Sequence, residues 1–348
     1  MRPRKYSKMD TSKLKPNDPR VKWETKQVRG KTYSYILGEP EGAKVDTIFL
    51  VHGWPDLAFG WRHQIPYLMS LGYQVVAPNM IGYAGTDAPQ DPKQYSFKSV
   101  SDDVAELARQ FVGEDGQIVL GGHDWGGALV WRTAYYYPKL IKAVFSICTP
   151  LLPLSKEYIP LEAIIAAGRL QNFKYQLQLG GPDVEAQVTG KDKLRQFFKA
   201  VFLGQTPDGE YGMTMEHGVI FELLDKVQQP RLLDADELDF YVEQYSLQKA
   251  PELRGPLNWY RTREINANEE IALGEEARPN TFEQPALFIG ATHDDALPPA
   301  MSQGMDAAFA DLTRAEVDAT HWALTQAGPV VNEHIGKWLT KVNSAPKL

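Results

Sequence analysis

An aspartate with a glycine pair on either side stands in GGHDWGG, residues 121–127. A carboxylate is already ionised at neutral pH, with an ordinary pKa of about 3.9, but it is a weak nucleophile. Against an acyl carbon it gains little, because attack gives a reactive anhydride. Against a saturated carbon bearing a strained or good leaving group, it displaces directly and forms an ordinary ester. Water then cleaves that ester, given a general base and donors for the developing oxyanion. Residue types suited to those tasks recur downstream, Asp294 in GATHDD and His321 in DATHW. The set points to opening C–O or C–halogen bonds at saturated carbon.

These side chains need elements to aim them. Asp124 follows the apolar run QIVL and precedes ALVWRTAYYYP, a helical pattern. It therefore occupies a sharp strand-to-helix turn, the place a nucleophilic serine takes in G-x-S-x-G. His52 to Pro55 follow DTIFL, Asp294 follows ALFIGA, and His321 follows EVDA. Ligands of open α/β sheets lie beyond the carboxyl ends of the strands, so all the candidates fall on one edge. Their chain order of nucleophile, acid and histidine is that of the serine elbow. Simple helix capping by Asp124 is the weaker reading, because it leaves the flanking glycines and the sheet edge without a reason. A nucleotide site is excluded, since GGHDWGG does not fit G-x-G-x-x-G and no Walker lysine follows.

The wider pattern fits this placement. WETKQVRG and TYSYILGEP read as a hairpin around Arg29-Gly30. WRHQIPYLMSLGY is helical in character, and SFKSVSDDVAELARQFVGE carries a Ser-x-x-Asp start with Val100, Val104, Leu107 and Phe111 on one face. Strands alternating with helices imply a mostly parallel sheet with right-handed crossovers. From about 151 to 283 the strands give way to helical patterns, among them EAIIAAGRLQNFKYQLQL, KLRQFFKAVF, ADELDFYVEQYSLQ and PLNWYRTREIN. The sheet pattern then resumes with PALFIGATHDD, a helix near MSQGMDAAFADL, the strand TRAEVDATHW and a last helix, PVVNEHIGKWLTKV. The expected organisation is a core over 1–150 with an N-terminal extension at 1–20, a helical lid over 151–283, and the rest of the core over 284–348.

Composition bounds the function. The 348 residues carry a formal net charge of -7, which argues against nucleic acid as the main partner. A single cysteine, Cys148, excludes an internal disulfide, fits a cytoplasmic location, and reads as a small buried residue in the strand AVFSIC. The opening MRPRKYSKMDTSKLK is basic and polar, neither a signal peptide nor a membrane anchor, and reads as a solvated or loosely docked arm. Pro346-Lys347-Leu348 only weakly matches the peroxisomal S-K-L address.

Four motifs now carry a specific likeness. HGWPD at 52–56, GHDWGG at 122–127, FKYQLQL at 173–179 and LNWYR at 257–261 stand in the order found in soluble epoxide hydrolases. The chain resembles that family, in its fungal type with a single catalytic domain. The resemblance implies an α/β-hydrolase fold: a mostly parallel eight-stranded sheet, helices on both faces and an inserted helical lid. It implies a cofactor-independent enzyme, with no metal, that converts epoxides to vicinal diols. Asp124 would attack an epoxide carbon while Tyr175 and Tyr260, from the lid, hydrogen-bond its oxygen. His321, oriented by Asp294, would activate water against the ester. The backbone N–H groups of Trp54 and Trp125 would form the oxyanion hole, and Trp54, Pro55, Trp125, Tyr175 and Tyr260 would touch the substrate.

Competitors exist for most of these roles. Of seven histidines, His52 suits a hydrogen bond that holds its loop, and His123 should point elsewhere on the turn. His63, His217 and His334 lack a strand end to aim them, and His293 reads as a solvated loop residue. Asp295 competes with Asp294. Asp56 reads as a loop cap, and Asp234-Ala235-Asp236 as the start of a helix. In mechanism the nearest rival is a haloalkane dehalogenase, and from another class a non-catalytic hydrolase-like binding protein. LEAIIAAGRLQNF and the loop around Met213 and Met215 suggest an apolar pocket or entrance, and hence a small lipophilic epoxide as partner.

Overall fold

The computed structural model describes residues 9–274 and 281–344. The first eight residues of the arm and Pro346-Lys347-Leu348 lie outside that range. The chain opens with a hairpin, β1 (Val21–Val28) and β2 (Lys31–Gly38), paired from Val21↔Gly38 to Val28↔Lys31. Arg29 and Gly30 both take positive φ, 48° and 79°, as a two-residue turn between twisted strands requires. Then follow β3 (Asp46–Val51), α1 (Gln64–Ser70), β4 (Tyr73–Pro78), α2 (Phe97–Val112), β5 (Ile118–His123), α3 (Trp125–Tyr136) and β6 (Ile141–Ile147).

Between β6 and the next strand of the main sheet the chain is helical. It forms α4 (Leu161–Ala166), α5 (Tyr175–Gly180), α6 (Asp183–Gln187) and α7 (Lys191–Val201), then α8 (Ala235–Tyr245), α9 (Arg254–Asn258) and α10 (Arg263–Ala272). A two-residue ribbon, β7 (Met213–Thr214) with β8 (Gly218–Val219), interrupts them. The main sheet then resumes with β9 (Ala286–Ala291) and β10 (Leu312–Val317), followed by α11 (Ala323–Gln326) and α12 (Gly328–Ser344).

Eight strands form one sheet in the order β1-β2-β4-β3-β5-β6-β9-β10. β2 runs antiparallel to both its neighbours, and every other pairing is parallel. Every residue of β5 and β9 is buried, as are all but the first of β3. Alternate side chains of a strand face opposite ways, so unbroken burial means that both faces are covered. Among the described residues no helix is long and apolar enough to cross a membrane.

Several local expectations need correction. The helix expected to start at Ser99 starts one turn earlier, because the Ser96 hydroxyl accepts from Ser99 N at 3.2 Å and caps Phe97. EAIIAAGRLQNFKYQLQL is two helices rather than one. Gly168 at φ 79° and Leu170 at φ 47° break it, and a 3-10 turn at Gln171–Phe173 restarts it. The segment around MSQGMDAAFADL forms two 3-10 turns, Pro299–Ser302 and Met305–Ala308, in place of a helix. From residue 9 onward the arm is docked: Leu14 is 1% exposed, and its N–H reaches Arg62 O at 2.9 Å.

Candidate active site

Asp124 sits where β5 passes into α3, with φ 55° and ψ −125°. That backbone is strained for a residue with a Cβ and persists only if its surroundings dictate it. Two close approaches do so. A Cβ at Gly126 would lie 2.2 Å from Val51 O, so only glycine lets α3 begin this close to β3. A Cβ at Gly53 would lie 2.3 Å from Asp124 Oδ1, so the HGWPD loop can reach the carboxylate only without one. Thr149 completes the clamp, its hydroxyl donating to Asp124 O at 2.7 Å. The residues around Thr149 carry no local signal for this contact.

The carboxylate is enclosed by donors. Trp54 N–H reaches Asp124 Oδ1 at 2.7 Å, and the Trp125 N–H donates to the same carboxylate. Both backbone groups expected of an oxyanion hole thus converge on the elbow. Burial works to raise the Asp124 pKa, but the hydrogen bond and charge of His321 outweigh it and hold it below the ordinary carboxylate value.

His321 follows β10 and lies between two carboxylates. Its Nε2 is 3.2 Å from Asp124 Oδ2, and its Nδ1 is 2.8 Å from Asp294 Oδ2. Asp294, 2% exposed, is itself fixed by the N–H groups of Ala296 and Leu297, which reach its Oδ1 at 2.9 and 2.8 Å. Asp295 is exposed and takes no part. Burial disfavours charge on His321, yet the Asp294 and Asp124 carboxylates prevail and raise its pKa well above the usual imidazole value.

His123 does not point away as expected. Its ring centroid is 4.9 Å from that of His321, and its Nε2–H donates to His321 O at 2.8 Å. Burial pushes its pKa down to about 4, so it stays neutral beside the charged ring. Cys148 lies one residue beyond β6, buried, and also donates to His321 O, at 3.5 Å. His123, Cys148 and His321 bring metal-ligating atoms within 4.8 Å of one another. Both His321 ring nitrogens are engaged by carboxylates, however, so the cluster supports the His321 backbone rather than offering a ligand set.

The tyrosines close the site from above. Tyr175 opens α5, its N–H held by Met215 O at 3.1 Å, and Tyr260 lies on a 3-10 turn, Trp259–Arg261. Their rings stand 6.1 Å apart, and that of Tyr260 meets Trp125 at 5.3 Å and Trp54 at 5.4 Å. Burial, reinforced by the Asp124 charge, raises both phenol pKa values, so both remain protonated donors. Arg261 sets their spacing: its guanidinium donates to Gly180 O at 3.1 Å and Gly181 O at 2.8 Å, joining the end of α5 to the Tyr260 turn. Sequence reasoning passed over this arginine although it closes LNWYR.

A cavity of about 660 Å³ reaches Asp124 and is lined by Trp125, Tyr175, Tyr260, Leu161 and Phe173. Trp54 and Pro55 are not part of its lining; the loop contributes its backbone donor instead. Met213 and Met215 also stay out of that wall. Arg132 on α3 pairs with Glu270 on α10 at 2.7 Å and donates to Leu152 O at 2.8 Å. The remaining candidates fall into supporting places. His52 donates through Nδ1 to Gly53 O and accepts from Met80 N, holding its loop. His217 is exposed, and His293 is exposed beside Asp318. Asp234 caps α8 in a capping box with Glu237.

Residues 46–327 match the alpha/beta hydrolase fold family. The chain is 40% identical over 344 residues to epoxide hydrolase srdG of Neurospora crassa, covering 95% of this chain and 99% of that protein. It belongs to the epoxide hydrolase family. Bifunctional epoxide hydrolase 2 of Rattus norvegicus is 32% identical over 84% of this chain, and the match spans only 51% of that longer protein. Among solved structures, epoxide hydrolase A of Mycobacterium thermoresistibile superposes with a TM-score of 0.75 at 27% identity, over 92% of this chain and 98% of that one. In this chain the elbow aspartate and the two tyrosines stand around one cavity, with the histidine between two carboxylates against the aspartate.

Proposed function

We propose that the protein hydrolyses small lipophilic epoxides to vicinal diols through a covalent ester on Asp124. Oδ1 stays with the backbone donors, leaving Oδ2 to attack an epoxide carbon. The C–O bond of the ring breaks, and the alkoxide takes a proton from Tyr260 or Tyr175. A phenol suits this task because it gives up its proton only once the oxygen has become strongly basic.

Esterification then changes the electrostatics of His321. In the resting site it is held between two anions and is already charged, so it cannot accept a proton. Forming the ester removes the Asp124 charge, the His321 pKa falls, and the ring gives up its proton, which restores the tyrosinate left by ring opening to a phenol. The neutral ring is then able to take a proton from water. That water adds to the ester carbonyl, the Trp54 and Trp125 N–H groups stabilise the oxyanion, and collapse releases the diol. Asp294 holds the ring and balances its charge throughout. Residues 151–283 act as a lid that carries the proton donors and excludes bulk water.

The observation that carries this reading is the pair of protonated tyrosines, Tyr175 buried and Tyr260 partly so, facing the cavity that reaches Asp124. A departing halide would need no proton, so the pair favours epoxides over haloalkanes. A single turnover with excess enzyme in heavy-oxygen water tests it. The diol should emerge unlabelled, with the new oxygen in the peptide holding Asp124; label in the first diol instead would overturn the ester route. Bromide release from a bromoalkane without diol formation from an aryl epoxide would assign the site to dehalogenation.

A further inference from the structure

Helix α8 presents three polar side chains at four-residue spacing, Glu237, Tyr241 and Tyr245, which places them on one face. All three bond to one short stretch of the core, the segment that follows β3. The Tyr245 hydroxyl donates to Pro55 O at 2.6 Å. The Tyr241 hydroxyl donates to Asp56 Oδ1, the atom that also accepts from Leu57 N. Glu237 pairs with Arg62 at 2.8 Å, with both side chains almost fully buried. Lys13 of the docked arm reaches the same Glu237 oxygen at 2.9 Å.

The segment they grip begins one residue after Trp54, whose N–H contacts Asp124. Asp56 N–H in turn donates to Gly53 O at 3.0 Å, so Trp54 is bracketed within a closed turn. On the opposite side, His52 and Asn79 fix the loop to the end of β4 through Met80 N and Ala58 N. The α8 contacts supply the remaining restraint, and they come from the inserted helices rather than from the sheet.

The geometry points to Tyr241 and Tyr245 as positioning residues for the Trp54 oxyanion donor, coupling the seating of α8 to hydrolysis of the ester. The assignment rests on the reading of Asp124 as nucleophile. It predicts an effect on one step only. During ring opening the Asp124 carboxylate loses its negative charge, so a hydrogen bond to it favours the ground state over the transition state. During ester hydrolysis a full oxyanion forms at that carboxyl group, and the donor favours the transition state. A displaced Trp54 N–H therefore slows hydrolysis while leaving ring opening intact.

The test uses the full-length protein and an aryl epoxide, styrene oxide, with rapid quenching and mass measurement of the Asp124 adduct. In Tyr245→Phe and Tyr241→Phe the ring packing survives and only the hydroxyl is lost. Each variant should form adduct within about twofold of the unsubstituted rate and break it down about tenfold more slowly, less than the 10²–10³ of deleting a donor outright. In steady state kcat and KM should fall together, with kcat/KM little changed. Tyr33→Phe is the control: it removes a buried tyrosine–aspartate bond, to Asp103 at 2.7 Å, far from the loop, and should leave both steps unchanged. Equal slowing of both steps, or unchanged adduct breakdown in both variants, overturns the coupling. Absence of any adduct in the unsubstituted protein instead overturns the ester mechanism on which it rests.

Discussion

His321 Nδ1 lies 2.8 Å from Asp294 Oδ2, while the opposite ring nitrogen faces Asp124. Under the proposed ester mechanism one carboxylate is permanent and the other loses its charge when the ester forms, so the two contacts have different fates. Asp294→Asn keeps an acceptor or donor in place but removes the permanent charge. Hydrolysis of the ester should fall by a factor on the order of 10²–10⁴, comparable to the loss when the aspartate of a serine triad is neutralised. Adduct accumulating in quenched samples would show that the block lies after ring opening.

Deleting the other charge reports on the ring itself. In Asp124→Ala the His321 pKa should move down toward the usual imidazole range, because one of the two anions that raise it is gone. Nitrogen NMR of the imidazole reads this directly. An unchanged titration would mean that Asp294 alone sets the charge. The same variant should show no turnover.

The tyrosines make a prediction about alkaline pH. Burial and the Asp124 charge raise both phenol pKa values above the ordinary 10. Ring opening should therefore show no decline attributable to phenol ionisation up to about pH 10. Tyr175→Phe and Tyr260→Phe should each slow adduct formation, and the double variant should nearly abolish it while leaving adduct breakdown alone. Rapid-quench rates separate the two steps.

Stability should depend on pH in two opposed windows. His52 and His123 are buried with pKa values lowered from 6.5 to about 4. The unfolded chain binds more protons than the folded one between these values, so their contribution is full above about pH 6.5 and is lost as pH falls toward 4. His321 works the other way: its folded pKa is raised, so its contribution is full below 6.5 and is lost as pH climbs through the folded value. Chemical denaturation across pH should show these contributions crossing near pH 6.5; a curve that keeps falling from pH 4 to 6.5 would contradict the assignment.

Arg261 offers a milder perturbation. Lysine keeps the charge but cannot reach Gly180 O and Gly181 O with a planar fork. Arg261→Lys should loosen Tyr260 against Tyr175 and reduce ring opening by about tenfold, with Tm nearly unchanged. Unaltered adduct formation would show that the two tyrosines are aligned by packing alone.

Much of this was legible from residue types because strand ends and glycines are strong local signals. QIVL leading into GGHDWGG placed Asp124 on its turn, and EVDATHW placed His321 at the end of a strand. Asp294 and Asp295 could be ranked only by motif register, and burial now separates them. Breaks inside helical patterns are less visible: Leu170 adopts a left-handed backbone while packing against the core, which no propensity announces. The His123 ring lies beside that of His321, 198 residues away, a contact that the local pattern GGHDWGG does not encode. The α8 stripe went unnoticed since tyrosines at four-residue spacing read as ordinary packing, and their hydroxyl partners lie about 185 residues away.

The Arg132–Glu270 pair rivets the inserted helices to the core. Arg132 belongs to the core and Glu270 to the inserted helices, and both are nearly excluded from water. Pulling them apart would strand two opposite charges in the cavity wall, so the pair resists separation of α10 from α3. The α8 face is pinned likewise.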